Sequence, residues 1–306
     1  MALKDAISLG MSLPHRSPDP IETTAVRQVA QRADALGFGD LWVTDNIVDH
    51  AGCFNALTVL TYAAALTSRI RLGVSVLVLP IYHPVHVAHQ VATLDYLSGG
   101  RAVLGVGLGR DDDYPPFQLT PARRVRRFME SVELMKALWT GSDVTYQGQF
   151  YQFEGGTLGT KPVQKPYPPV WLGGHHPDAL RRAVAVGDGW MGAGGSTIAS
   201  FGQAVPLLRT ALAEAGRDLA SFPISKRVFL SVHRDPEVAR AEVHRWFSEV
   251  YRNPAGTTTS GVFGTPEQVR AQLENLVALG ASHLLLNPVT RYAEQVEALA
   301  EIVGLV

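Results

Sequence analysis

The chain has 306 residues, of which 46% are hydrophobic and 18% are charged, and its formal net charge is −1. This composition is typical of a soluble globular protein with a large apolar core. The near-neutral charge argues against nucleic acid as the main partner, because no broad basic excess is available to neutralise phosphates. The longest apolar run, residues 72–81, is far shorter than the roughly 18 residues of a membrane helix, so no membrane partner is expected.

The N-terminal segment and the cysteine content both favour a cytoplasmic protein. "MALKDAISLG" carries an acidic residue where a secretory signal would carry its apolar stretch. The single cysteine, Cys53, excludes an internal disulfide framework and fits a reducing compartment. We expect Cys53 to be a small buried residue of a helix rather than a nucleophile, because no histidine-bearing motif accompanies it.

Short β-branched runs alternate with longer helical patterns, and this unit occurs eight times. The predicted strands, in chain order, are 6–10, 40–45, 69–79, 102–107, 169–174, 189–193, 224–233 and 282–287. The helices predicted after them are 21–36, 54–66, 84–97, 121–139, 177–186, 198–215, 236–251 and 292–302, with an additional helix at 266–279. The strands are nearly continuous apolar runs, as expected when helices cover both faces of a parallel sheet.

Eight strand–helix units predict an α/β fold, a (β/α)8 TIM barrel, as a single domain over residues 1–306. An open doubly wound sheet is the alternative, although it usually stops nearer six strands. Two segments interrupt the alternation. In residues 140–168, "VTYQGQFYQF" predicts a small hairpin inserted before the fifth strand. Residues 252–265 predict a polar, mobile loop, and long loops at the strand ends of a barrel are often lids.

The fourth strand ends in a glycine-rich stretch, "GRAVLGVGLGRDDD" at 100–113. The spacing of Gly105, Gly107 and Gly109 is not that of a dinucleotide-binding loop, and three following aspartates would repel a pyrophosphate. In a barrel, however, ligands bind at the carboxyl ends of the strands, and glycines there let a flat ligand approach the backbone. The stretch therefore predicts one wall of a ligand cleft.

A second glycine turn, "GGHHPDAL" at 173–180, leads directly into a helix. Free backbone N–H groups at a helix N-terminus bind anions, so Gly173 and Gly174 are predicted to hold a phosphate. A tight turn without a ligand is the alternative. His175 and His176 could cap the helix, contact the phosphate or face solvent.

Five stretches together resemble the bacterial luciferase-like monooxygenase superfamily, in order from about residue 6 to 290. They are "GFGDLWVTDNIVD", "RIRLGVSVLVLP", "LDYLSGGRAVLGVGLG", "KPVQKPYPPVWLGGHHPDALRRAVAVGDGWM" and "FGTPEQVRAQLENLVALGASHLLL". The resemblance implies a (β/α)8 barrel that holds FMN or the deazaflavin coenzyme F420, usually in a homodimer. "GDGWM" and "GTPEQV" look most like the F420-dependent branch, which favours F420 over FMN and implies hydride transfer with a small organic substrate. FMN would instead permit monooxygenation, with a flavin reductase as partner.

The same resemblance assigns residues to the cofactor. It implies a non-proline cis peptide bond between Ser75 and Val76, behind the ring of the cofactor. It also implies a set of residues that border the ring or bind its phosphate: Asp45, Gly107, Gly109, Gly173 and Gly174. His175, in the same turn, is also predicted to bind the cofactor.

Two positions depart from the family pattern. Many relatives have Asp-His after the second strand, whereas this chain has Asp45-Asn46, and an amide does not titrate. The sugar-phosphate dehydrogenase branch has Glu after the fourth-strand glycines, where this chain has Arg110, which argues against that particular activity. A proton donor or acceptor must then come from elsewhere, and the candidates are His15, His50, Tyr82 and His83. The residues predicted to be catalytic are Asp45, Asn46, His83 and Arg110.

Other functions remain open at this stage. His83, His86 and His89 form H-x-x-H-x-x-H, which would suit a metal-dependent barrel hydrolase. Because His83 precedes a proline and no carboxylate ligand pattern accompanies it, no metal site is predicted. A flavin-binding protein without turnover is a further alternative. The arginines of "RRVRRF" (123–128) form either a solvated helix face or a binding surface for an anionic ligand.

Overall fold

The computed structural model describes residues 2–306, in which eight parallel strands alternate with helices and close into a barrel. The strands are β1 (Ser8–Ser12), β2 (Asp40–Val43), β3 (Arg71–Val78), β4 (Ala102–Gly107), β5 (Val170–Gly173), β6 (Gly189–Gly192), β7 (Ile224–Val232) and β8 (His283–Pro288). The helices are α1 (Thr23–Leu36), α2 (Ala56–Leu66), α3 (Pro84–Ser98), α4 (Arg124–Thr140), α5 (Pro177–Val186), α6 (Ile198–Glu214), α7 (Pro236–Glu249), α8 (Pro266–Ala278) and α9 (Tyr292–Val303).

Each barrel strand pairs in parallel with the next one in the chain, and β8 closes the barrel on β1. Gly10 of β1 lies opposite Asp40 of β2, and Ser8 of β1 lies opposite His283 of β8. This architecture confirms the predicted (β/α)8 barrel. None of the helices within residues 2–306 combines the length and the apolar character needed to cross a bilayer.

Local sequence signals explain why the predicted helix boundaries agree with the structure to within about three residues. Gly37 and Gly99 end α1 and α3 in the left-handed conformation, which glycine adopts without steric cost. Helices α3, α5, α7 and α8 begin with proline, whose fixed φ suits the first turn.

The hairpin predicted inside 140–168 is confirmed. Tyr146–Gln147 pairs antiparallel with Gln152–Phe153. The buried carboxylate of Glu130, on α4, accepts hydrogen bonds from the backbone N–H groups of Gln149 (2.9 Å) and Phe150 (2.7 Å). These charge-assisted bonds tie the inserted hairpin to the outer helices of the barrel.

The structure differs from the prediction of a loop over 252–265. Gly256–Thr259 is a short helix, and Val262–Gly264 is a strand that pairs with Leu230–Val232 of β7. Because β7 has nine residues and runs past its neighbours, it offers a free edge on which the buried Val262 packs. The predicted mobility of this segment is not tested by the structure.

Cys53 is also placed differently from the prediction. It lies in a two-residue strand, Gly52–Cys53, antiparallel to Arg16–Ser17, and not in a helix. The side chain of Asn55 accepts a hydrogen bond from the N–H of Thr58, so α2 begins only at Ala56. Cys53 is half-buried, and burial raises the pKa of its thiol. A raised pKa disfavours the reactive thiolate.

The interior of the barrel is filled at its middle and open above. Trp42, Val103, Trp171, Met191 and Leu285 form a compact cluster, with the two indole rings 5.1 Å apart. Val76 packs on this cluster from above. A cavity lies toward the carboxyl ends of the strands.

Candidate functional site

A cavity of about 520 Å³ opens at the carboxyl ends of the barrel strands. This volume is in the range of small-molecule and cofactor sites. It is lined by residues that follow β2, β4, β5 and β6 and by side chains from β3 and β7. All but one of the predicted site residues line it: Asp45, Asn46, Ser75, Val76, Gly107, Gly109, Arg110, Gly173, Gly174 and His175.

The side of the cavity formed by β3 to β5 is closely fitted around one valine. The Ser75–Val76 peptide bond is cis, and the pairing of β3 with β4 shifts register between Val74 and Leu77. A Cβ atom on Gly107 would lie 2.6 Å from Cγ2 of Val76, and one on Gly173 would lie 3.2 Å from its Cγ1. Larger residues at these glycines would displace Val76. The glycines therefore leave room for the Val76 side chain, and we term the part of the cavity beside Val76 and these glycines the slot.

The N-terminus of α5 forms the anion-binding end of the cavity. Gly174 has a φ of +130°, which a residue with a side chain rarely adopts, and its carbonyl accepts a hydrogen bond from Trp190 Nε1 at 2.6 Å. The backbone N–H groups of Gly174, His175 and His176 donate to no protein acceptor within residues 2–306. Arg182, half-buried one turn along α5, also lines the cavity. Free N–H groups at a helix N-terminus beside a guanidinium suit a phosphate.

The two histidines of this turn have different positions. His176 caps α5, since its side chain accepts a hydrogen bond from the N–H of Asp178 at 3.3 Å. His175 is exposed at the rim of the cavity.

Asp45 is the buried carboxyl group of the cavity. Its two oxygens accept hydrogen bonds from the N–H of Val78 (3.1 Å) and the hydroxyl of Tyr82 (2.8 Å). Burial raises the pKa of Asp45, Asp113 adds to the rise, and the two hydrogen bonds oppose it. An aspartate with a raised pKa is better suited than an ordinary one to hold or release a proton near neutral pH.

Asn46 and Arg110 lie at the mouth of the cavity. Arg110 is exposed, its backbone N–H is capped by Asp113 at 2.6 Å, and its side chain pairs with Asp112 and Asp113. Of the four arginines in 123–128, only Arg124 lines the cavity, where it pairs with Asp111. The mouth is thus a charged rim of arginines and aspartates.

The structure does not bring His83 to the cavity. Its ring accepts a hydrogen bond from the N–H of Val85 at the start of α3 and packs edge-on against Tyr151, 5.4 Å between centroids. Its catalytic assignment stays a prediction that the geometry does not support. His50 and Tyr82 also lie outside the lining, although Tyr82 reaches the site through Asp45.

His15 is buried in the neutral form. Nδ1 donates to the carbonyl of Leu13 at 2.8 Å, and Nε2 accepts from the N–H of Thr44 at 2.6 Å. Burial lowers the pKa of His15 to about 3. This ring therefore positions the turn after β2, which carries Thr44 into the cavity, and does not supply a proton.

Several residues of the lining were not predicted from the sequence. They are Arg16, Arg182, Arg227 and Tyr251. Gly194 and Gly195 also line the cavity, and they follow the sixth strand, where strand-end residues were expected to carry chemistry. One signal for Arg227 was present, since "ISKRVFLSVH" places two adjacent basic residues, Lys226 and Arg227, in a predicted barrel strand. The ammonium group of Lys226 donates to the carbonyls of Ala193 (2.6 Å) and Ser196 (2.8 Å). It thereby fixes the loop that supplies Gly194 and Gly195.

The geometry gives no support to a hydrolase. Within the described part of the chain, no three histidine, cysteine or acidic side chains are grouped so as to hold a metal ion. Ser225, His283 and Asp40 do form a hydrogen-bonded chain, with Ser225 Oγ 2.7 Å from His283 Nδ1 and His283 Nε2 2.8 Å from Asp40 Oδ1. These groups are buried at the amino ends of the strands and line no part of the cavity, so they form a structural network.

Comparisons with known proteins identify the family of this chain. The family model described as luciferase-like monooxygenase matches residues 7–260. An F420-dependent glucose-6-phosphate dehydrogenase from Kineococcus radiotolerans is 32% identical over 228 residues, which cover 71% of this chain and 66% of that protein. A 5,10-methylenetetrahydromethanopterin reductase from Archaeoglobus fulgidus is 32% identical over 210 residues, 68% of this chain and 60% of that protein. The matched part thus spans about two thirds of the length of these relatives.

Among solved structures, an F420-dependent secondary alcohol dehydrogenase in complex with an F420–acetone adduct superposes with a TM-score of 0.86. Its sequence is 20% identical, and the alignment covers 98% of this chain and 99% of that chain. At this identity, the likeness establishes the barrel fold only.

Proposed function

This chain belongs to the luciferase-like monooxygenase family, and we propose that it is an oxidoreductase that uses coenzyme F420 to exchange a hydride with a small organic substrate. The observation that carries the proposal is the pairing, in one cavity, of the glycine-lined slot beside Val76 with the free N–H groups at the N-terminus of α5. F420-dependent glucose-6-phosphate dehydrogenases among its relatives support the choice of cofactor.

The residues present fit such a cofactor. A flat ring would lie against Val76, which fits beside Gly107 and Gly173 because these residues have no side chains, and a larger residue at either position would push Val76 into the cavity. Gly174, His175 and Arg182 would hold its phosphate through backbone N–H groups and a guanidinium. When bound, the deazaflavin supplies hydride transfer to or from an organic carbon.

The protein's own contribution to the reaction centres on Asp45. Its raised pKa favours holding a proton on a carboxyl oxygen, and Tyr82 and the backbone of Val78 fix the orientation of the group. Asp45 is therefore the group of the cavity best placed to give or take the proton that accompanies hydride transfer to a carbonyl or from an alcohol. Asn46 can orient a ligand by hydrogen bonds but cannot replace Asp45 in this role.

We further propose a cytoplasmic homodimer. Tyr62 on α2 and Tyr96 and Leu97 on α3 are exposed, with between 43% and 63% of their surface accessible. Large apolar side chains in this number on neighbouring helices suit a protein–protein interface. The single, half-buried cysteine fits a reducing compartment.

The test is an equilibrium titration of the apo-protein with F420 and with FMN, followed by fluorescence. The proposal predicts binding of F420 at about 1 µM or tighter and weaker binding of FMN. A clear preference for FMN would instead indicate a monooxygenase that requires a flavin reductase. Binding of neither would refute the assignment of the cavity.

Size-exclusion chromatography with light scattering tests the proposed dimer. Leu97→Glu should convert the dimer to a monomer.

A further inference from the structure

A buried arginine in the floor of the cavity has no negatively charged partner. Arg227, in the middle of β7, is 5% exposed and lines the cavity. Its Nε donates to Asn287 Oδ1 at 3.0 Å, Nη2 donates to the same oxygen, and Nη1 donates to the carbonyl of Ser75 at 3.3 Å. Both acceptors are neutral, and no carboxylate of residues 2–306 forms an ion pair with this guanidinium.

A second buried arginine lies on the same side of the cavity. Arg16 is 6% exposed and pairs with Asp49, but its Nε has no hydrogen-bond partner in residues 2–306. The guanidinium of Arg16 lies 5.5 Å from the ring centroid of Tyr251, and that of Arg227 lies 4.8 Å from the ring of Phe229. The two cations are thus held over aromatic faces at one end of the cavity.

The charge on Arg227 is retained despite burial. Burial lowers the pKa of Arg227 to about 10, so the guanidinium is still protonated at neutral pH. Burying a charge without a counter-charge destabilises a folded protein, and such charges persist in sites that bind ligands. The neutral partners around Arg227 position it without neutralising it.

We propose that Arg227, assisted by the positive charge of Arg16, is a second anion subsite of the cavity and binds a planar oxyanion of the bound ligands, such as a carboxylate or an enolate-type oxygen. This subsite is built on β7 and on the turn after β1, whereas the phosphate end is built on β5 and α5. The proposal rests on the proposed function for the identity of the ligand. The oxyanion can come from a carboxylate of the organic substrate or from the electron-rich edge of the cofactor ring.

The experiment compares benzoate with benzamide, which match in shape and differ in charge. Binding of each to the apo-protein and to the F420-loaded protein is measured by calorimetry. The wild type should bind benzoate about tenfold or more tightly than benzamide, because a hydrogen bond to a charged group is stronger than one to a neutral group. Arg227→Met should abolish this preference. Arg270→Gln is the control, because Arg270 forms an exposed ion pair with Glu274 on α8, and this variant should retain the preference for benzoate.

Two arms identify the source of the oxyanion. If the F420-loaded protein binds benzoate more tightly than benzamide, and Arg227→Met removes this difference, the subsite binds an oxyanion of the substrate. Benzoate that binds only the apo-protein and is displaced by F420, together with weaker F420 binding by Arg227→Met, assigns it to the ring. If the apo-protein prefers benzoate but binds no F420, the subsite stands and the proposed cofactor fails.

A thermal melt separates this role from a structural one. Without ligand, Arg227→Met should unfold at the same or a higher temperature than the wild type, because it replaces an unpaired buried charge with an apolar group of similar length. Arg227→Lys, which keeps the charge, should keep the preference for benzoate and serves if the methionine variant does not fold. Equal affinity of the wild type for benzoate and benzamide in both forms, with no effect of Arg227→Met on F420 binding, would overturn the proposal.

Discussion

Buried ionisable side chains have charged partners at the amino ends of the barrel strands, whereas Asp45 and Arg227 at the carboxyl ends have none within residues 2–306. At the amino ends of the strands, Asp40 is fully buried and accepts hydrogen bonds from His283 (2.8 Å), Arg71 (2.8 Å) and the indole of Trp42. At the carboxyl ends, Asp45 has only the backbone N–H of Val78 and a phenol as partners, and Arg227 has no carboxylate partner.

The pKa directions follow this difference. At Asp40, burial by itself raises the pKa, but the neighbouring His283 and Arg71 outweigh it and hold the pKa well below the usual range. At Asp45, burial dominates and the pKa rises. The amino end is thus balanced for stability, whereas the carboxyl end carries unbalanced charges that a ligand can use. The following predictions test this contrast, from the largest expected effect to the smallest.

Asp40→Asn should have the largest effect on stability. It removes the negative charge that pairs with Arg71 and the buried His283 and leaves a single acceptor oxygen between them, and breaking such a buried pair costs about 3–5 kcal/mol of the free energy of unfolding. Asp45→Asn keeps one acceptor oxygen and removes a carboxylate that burial already disfavours, so its cost should be about 1 kcal/mol. Urea denaturation measures both. Equal losses at the two positions would show that the two ends do not differ.

His15→Gln should change the response of stability to acid. The folded-state pKa of about 3 lies below the ordinary value of 6.5, so between these values only the unfolded chain takes up a proton at this position. Stability therefore falls as the pH drops below 6.5, by about 1.4 kcal/mol per pH unit from this residue. The wild type should lose about 3 kcal/mol more than His15→Gln between neutral pH and about pH 4.5. Parallel losses in urea titrations at the two pH values would exclude this role.

Gly107→Ala should weaken cofactor binding about tenfold, because its Cβ would lie 2.6 Å from Cγ2 of Val76 and overpack the slot. Gly159→Ala is the matched control, since a Cβ there meets nothing within 4 Å. Fluorescence titration with F420 measures both variants. An unchanged affinity in Gly107→Ala would mean that the ring does not lie against Val76.

Arg182→Gln should weaken binding of F420 and of FMN by about three- to fivefold, through loss of one partly exposed cation near the phosphate. The adjacent Arg181→Gln carries the same change on the outer face of α5, where Arg181 pairs with Asp178, and should have no effect. The same loss in both variants would point to long-range charge rather than a direct contact.

Much of this account could be predicted from the sequence, because the signals are local. Proline and glycine mark the helix boundaries, and apolar runs mark the strands. The fourth-strand glycines, Gly107 among them, indicated the slot, whereas Gly173 was predicted to hold a phosphate and lies beside Val76. The resemblance to a family supplied the cis bond at Ser75–Val76. The sequence did not predict how deeply a given side chain is buried in the barrel.

Arg227 and His83 illustrate that limit. Candidate site residues were sought at strand ends, but β7 is long and Arg227 sits in its middle. Its side chain nevertheless lines the cavity. His83 directly follows the turn after β3, yet its ring caps α3 and packs on Tyr151, a residue of the inserted hairpin region. The pKa of Asp45 also depends on burial, which no local pattern reports.

The most direct test of the central claim is a crystal structure of the protein with F420. The account predicts that the ring lies flat against Val76 between Gly107 and Gly173, with the phosphate within hydrogen-bonding distance of the N–H groups of Gly174 and His175. Cofactor bound elsewhere, or bound in the cavity with its phosphate away from the N-terminus of α5, would contradict it.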